Sequence, residues 1–86
     1  MPWSLRYTQF ARRQLRRLSN SDQKIIKQAV DKMVRDPGSA DLTKLSGRKN
    51  EWRLRIGTWR VIFWFENNTG TMWVLKILPR REAYRD

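Results

Sequence analysis

The 86-residue chain contains no cysteine and no histidine. Without cysteine there is neither a disulfide nor a thiolate nucleophile, and a reducing compartment is permitted. Without histidine the chain lacks the side chain most often used for acid–base work near neutral pH and most often used to hold a metal. Acidic residues are scarce, 8 Asp and Glu against 19 Lys and Arg, which leaves a formal charge of +11. Solubility alone does not call for that excess; it favours a polyanion or an acidic protein as partner. Long apolar runs are missing too: the longest, residues 61–65, is far too short to span a bilayer, and Met1-Pro2-Trp3 opens without a basic-then-apolar leader. The expectation is a soluble cytoplasmic protein with no membrane partner. Repeats, low-complexity stretches and dividing linkers are also lacking, so residues 1–86 read as a single domain, large enough for one modest core.

What is present alternates first with period two and then with helical spacing. Trp3-Ser4-Leu5-Arg6-Tyr7 predicts a short first strand, which pairs most simply at a sheet edge. Over residues 9–18, Ala11, Leu15 and Leu18 share one helical face while Arg12, Arg13, Arg16 and Arg17 occupy the other. Asn20 with Gln23 resembles a capping box ahead of a second helix whose stripe is Ile25, Ile26, Ala29, Val30 and Met33, stopped by Asp36-Pro37-Gly38. A loop is expected through Lys49. Strands follow over 51–56 and 59–66, joined tightly at Gly57-Thr58, and over 71–78 after an Asn67-Asn68-Thr69-Gly70 turn. The fold class is therefore α+β: a short strand, two helices, then a three-stranded antiparallel meander in one sheet with the helices on one face. Trp59, Val61, Phe63 and Phe65 fall on one face of the third strand and Arg60, Ile62 and Trp64 on the other, which suits a central strand. The four tryptophans of the sheet half read first as core, with Trp64 the exception that could stack on a base.

The feature that points to function is the arginine pattern. Arg53 and Arg55 alternate with Trp52, Leu54 and Ile56, so a strand that sends the apolar set inward sends both guanidiniums outward. Arg60 stands just past the hairpin, and Arg80-Arg81 follow the last strand. A guanidinium keeps its charge at every relevant pH and offers a planar fork of donors matched to phosphate oxygens, so several on one surface suggest a phosphodiester. Alternating arginines also occur as a solvated face, and those of the first helix read equally as a general RNA-contacting surface.

Lys44-Leu45-Ser46-Gly47, the run from Trp52 to Phe63 and the segment Leu78-Pro79-Arg80-Arg81-Glu82-Ala83-Tyr84-Arg85 together resemble the RelE/ParE superfamily of bacterial and archaeal toxins. The resemblance spans essentially the whole chain. It implies the toxin of a type II toxin–antitoxin pair and, in the RelE branch, a ribosome-dependent endoribonuclease that cleaves messenger RNA and so inhibits translation. It also implies a cognate acidic antitoxin and the ribosome with its message as partners, and no cofactor or metal.

Carried over by position, the resemblance makes Arg60, Arg80 and Tyr84 the catalytic set and places Arg53, Arg55, Arg81 and Trp64 on the substrate. Arg53 and Arg55 stand where better-known members carry lysine, and arginine gives up no proton, so neither serves as a general base. That leaves Tyr84, whose phenolate nearby cations favour, to take the 2′-hydroxyl proton, while arginines stabilise the phosphorane. Glu51 and Glu82 read as salt-bridge partners or as further bases, and Tyr84 also reads as a terminal anchor on the sheet. Two other functions are compatible with this fold: a ParE-like toxin that binds DNA gyrase without a nuclease site, and a non-catalytic RNA-binding module.

Overall fold

A computed structural model describes residues 3–47 and 49–79 of the chain. In order along the sequence these form β1 (Ser4–Tyr7), α1 (Gln9–Arg16), α2 (Asn20–Arg35), β2 (Leu42–Lys44), β3 (Glu51–Ile56), β4 (Trp59–Glu66) and β5 (Thr71–Pro79), with one 3₁₀ turn at Pro37–Ser39. The strands make a single sheet in the order β1-β5-β4-β3-β2. β1 runs parallel to β5, and the other neighbours are antiparallel. The α+β class, the edge position of β1 and the central position of β4 agree with the pattern in the sequence.

Three local expectations are corrected. The segment taken as loop through Lys49 contains β2, which pairs Leu42, Thr43 and Lys44 with Leu54, Arg53 and Trp52; three residues are too few for a period-two signal to stand out. The second helix is capped by Ser19, whose Oγ accepts the Asp22 N–H at 3.1 Å, and not by Asn20. Gln23 instead donates from Nε2 to the Leu18 carbonyl at 2.9 Å, tying the helix to the link before it. The tryptophans are core only in part: Trp59 packs against the interior from its margin, and none of the five is fully buried. All five are partly exposed, because the apolar interior is filled by smaller and more flexible chains such as Ile26, Val30, Met33, Val61, Phe63 and Val74. Trp3 and Trp52 close one margin of it by meeting Phe65 with ring centroids 5.4 and 5.9 Å apart.

That interior lies between one sheet face and the two helices: Leu54, Ile56, Val61, Phe63, Met72, Val74 and Ile77 meet Ala11 and Leu15 of α1 and Ile26, Val30 and Met33 of α2. Residues 72, 74 and 77 can share a face because the register slips at Leu75, where Ile62 faces Lys76 while Phe63 faces Val74. The backbone around this bulge is served by α1 and its cap. Thr8 donates its hydroxyl to the Leu75 carbonyl at 3.0 Å while accepting the Ala11 N–H at 3.1 Å. Beyond Tyr7, where β1 stops covering β5, the Gln14 amide takes over as a substitute strand, donating to the Ile77 carbonyl at 2.8 Å and accepting its N–H at 2.7 Å. The helix-free face of β3 and β4 is the one from which the arginines project.

Candidate functional site

The face of the sheet opposite the helices carries Arg53, Arg55 and Arg60. Strand pairing sets Arg53 opposite Ile62 on one side and Thr43 on the other, and sets Arg55 directly opposite Arg60. Together with Asp41 and Thr43 the three arginines line one cleft of about 110 Å³. Like charges placed face to face across a ladder destabilise a sheet, so an arrangement that keeps Arg55 against Arg60 is one that an anion would relieve.

The three guanidiniums are held differently. Arg55 is exposed, and its Nε lies 3.9 Å from Asp41 Oδ2. Arg53 is partly buried. Arg60 is only 3 % exposed, and its Nη1 donates to the carbonyls of Gly57 and Trp59, both at 2.9 Å. Burial of a cation is costly unless it is hydrogen-bonded, and the tight two-residue turn supplies that partner. Gly57 turns there at φ +55°, so its carbonyl can point back at the guanidinium. Arg60 therefore both closes the β3–β4 hairpin and presents fixed positive charge to the cleft.

Asp41 is the residue that sequence reasoning missed. Its carbonyl accepts the Arg55 N–H at 3.0 Å, which anchors it beside β3, and its carboxylate is the only acidic group lining the arginine cleft among the described residues. Its position ahead of an unrecognised three-residue strand gave no signal. Glu51 lies outside this lining; it stands opposite Trp64 in the β3–β4 register. Trp64 shares the open face, partly exposed, but does not line the cleft. Arg80, Arg81, Glu82 and Tyr84 lie outside the described residues. Among the described residues no three acids, histidines or cysteines gather as a metal cage, and no helix is long and apolar enough to cross a membrane.

A second recess, of about 280 Å³, opens on the helical side between Tyr7, α1 and α2, lined by Arg12, Leu15, Arg16, Gln23 and Lys27. Burial, and then the charge of Asp31, push the Tyr7 hydroxyl up to about 12, so it stays protonated and available as a donor.

Residues 5–84 match a family model described as the ParE toxin of the type II toxin–antitoxin system parDE. Among curated proteins no sequence matches. Solved structures share the fold: the archaeal RelE–RelB complex from Pyrococcus horikoshii has a TM-score of 0.76 at 22% identity, covering 93% of this chain and 97% of that one. The RelBE2 toxin–antitoxin complex from Mycobacterium tuberculosis has a TM-score of 0.75 at 21% identity, covering 93% and 100%. The isolated RelE toxin of E. coli has a TM-score of 0.76 at 14% identity, covering 96% of each chain.

Proposed function

The chain belongs to the ParE toxin family of type II toxin–antitoxin systems, and from that premise we infer that it acts as a metal-independent endoribonuclease that cuts messenger RNA on the ribosome and so inhibits translation. The observation that carries this reading is the convergence of Arg53, Arg55 and Arg60 on one cleft of phosphate size beside a carboxylate. Three guanidiniums lining one cleft at the expense of repulsion between two of them support a phosphodiester as the group that relieves it.

The chemistry divides by residue. The buried Arg60 and the exposed Arg55 stabilise the negative charge that develops on the phosphorane, and Arg53 holds the adjacent phosphate. The 2′-hydroxyl proton passes to the Asp41 carboxylate, released from Arg55 when the phosphate takes that guanidinium, or to Tyr84, the group the family resemblance supplies. Arg80 stabilises the charge on the leaving 5′-oxygen, which takes its proton from water, with Arg81 on the flanking phosphate. A site with no well-matched acid is slow on free RNA, so the ribosome contributes the in-line geometry of the message.

In vitro translation followed by primer extension tests the reading: cuts in the ribosomal A site are expected, and intact message together with blocked supercoiling would assign the gyrase-binding alternative that the family's ParE name favours. In single-turnover cleavage, whichever of Asp41→Asn and Tyr84→Phe slows the step by about 10²-fold identifies the base; parental rates in both would remove general-base catalysis from the scheme.

The cognate antitoxin is an acidic, partly disordered segment that folds over the basic surface. The recess lined by Arg12, Leu15, Arg16 and Lys27 supports a helix carrying both acidic and apolar side chains. Its association should slow as salt rises; rates indifferent to ionic strength would oppose this.

A further inference from the structure

Beside the arginine cleft, the open sheet face carries an aromatic row that the cleft does not account for. β4 and β5 set Trp64 directly opposite Trp73, and β1 sets Arg6 opposite Trp73 on its other side. Both indoles are partly exposed, Arg6 is exposed, and none of the three belongs to the apolar interior. The Trp73 indole is pinned at its edge: Nε1–H donates to Glu66 Oε1 at 3.0 Å, and that carboxylate also accepts the Thr69 hydroxyl at 2.9 Å. These two bonds hold the Glu66 carboxyl below the usual carboxylate range, so the clamp persists at neutral pH. With its one donor satisfied, Trp73 has only its ring left to offer a ligand.

Position then selects the ligand. Arg53 faces Ile62, and Trp64 is two residues further along the same strand, which makes Arg53 and Trp64 diagonal neighbours with Cα atoms about 7–8 Å apart. That is the reach from a phosphate to a neighbouring base along one strand of nucleic acid. Paired bases do not expose their faces, so an occupant that meets both features is single-stranded. We propose that Trp64 and Trp73 form a stacking platform for unpaired bases of an RNA strand whose backbone crosses the Arg53–Arg55–Arg60 cleft, with Arg6 on a more distant phosphate. The proposal rests on reading the cleft as an RNA phosphate site and extends it from one phosphodiester to a track of several nucleotides. A cross-strand aromatic pair also stabilises a sheet, so the test must separate stacking on RNA from support of the fold.

Fluorescence anisotropy with labelled oligoribonucleotides, 2′-O-methylated to prevent cutting, makes that separation. The parental protein should bind a hexanucleotide more tightly than a dinucleotide. Trp64→Leu and Trp73→Leu should each weaken the hexanucleotide by at least about 5-fold and weaken the dinucleotide, which offers the platform one base at most, by less. A hexanucleotide lacking the bases that stack should bind the parental protein as weakly as the intact one binds Trp64→Leu. Trp73→Phe, which keeps a ring and loses the bond to Glu66, should bind near the parental level whatever its melting temperature. Equal losses on both lengths, no loss on either, or no binding of the hexanucleotide by the parental protein each overturn the platform; a loss of antitoxin affinity instead would make the pair a protein seat. If the rings bind RNA as expected but ribosome-bound message stays intact, the nuclease reading fails and the platform stands. If message is cut and the leucine variants bind the hexanucleotide normally, the platform fails and the nuclease reading stands.

Discussion

The two faces of this sheet are built from adjacent residues of the same strands and follow opposite rules. On the face under the helices, Phe63, Val61 and Val74 are fully enclosed and their contribution is non-directional burial. On the other face, Arg60 is nearly as enclosed, at 3 % exposure, yet it is stable there only because two carbonyls of its own hairpin accept its hydrogen bonds. The enclosed apolar positions tolerate other fillings of similar volume; position 60 tolerates only a side chain that can meet those carbonyls. The difference separates what holds the domain together from what it holds in readiness.

The contrast can be broken most forcefully from the apolar side. Phe63→Ala should lower the unfolding free energy by about 3–5 kcal/mol, a large share of what a domain of this size possesses. Urea unfolding would show it, and a loss under about 1 kcal/mol would mean that Phe63 is not the centre of the interior. Next comes Arg60→Ala, expected to lose roughly 2–3 kcal/mol because charged hydrogen bonds at the turn disappear, and to lose message cleavage as well. A variant of parental stability would show that the hairpin closes without it, whereas full cleavage by a folded variant would take Arg60 out of the chemistry.

Arg53→Ala and Arg55→Ala sharpen the comparison in the other direction. Their stabilities should stay within about 0.5 kcal/mol of the parent, while cleavage on the ribosome falls by about 10²-fold or more. Unfolding together with inactivity would turn these arginines into structural residues. The smallest expected effect lies at the edge of the open face. The Trp73 indole and then the Thr69 hydroxyl lower the Glu66 pKa, so the carboxylate stabilises the fold above its ordinary range, and that contribution is lost as pH falls through the folded value. Trp73→Phe removes the larger cause; its urea midpoint should sit below the parental one at neutral pH and approach it below about pH 4. A gap that is constant or widens on acidification would separate Glu66 from this clamp.

Much of the architecture was legible along the chain because each face of β3 and β4 repeats a simple alternation. Arg53 and Arg55 between Trp52, Leu54 and Ile56 had one sensible orientation once a core was assumed. β5 was less legible: a strict alternation sends Val74 and Ile77 to opposite faces, and only the bulge at Leu75 reunites them. β2 and Asp41 escaped because their place depends on Arg55 and Arg53 arriving beside them, a pairing across the loop that no local window contains. The tryptophans were misread for a related reason. Their size argued for burial, but the helices present too little surface to cover five indoles, and so the rings fell to the margins and the open face.

The sequence by itself determined the charge, the lack of histidine and cysteine, the two helices and the meander, since composition and period act over a few neighbouring residues. Tertiary structure alone decided that Arg60 is a buried turn cap and that Asp41 stands among the arginines. It also decided that Gln14 replaces a missing strand and that Trp64 stands opposite Trp73. Each of these depends on which backbone groups are left unpaired once the strands have docked, and that is settled by long-range register, not by any residue's own preference.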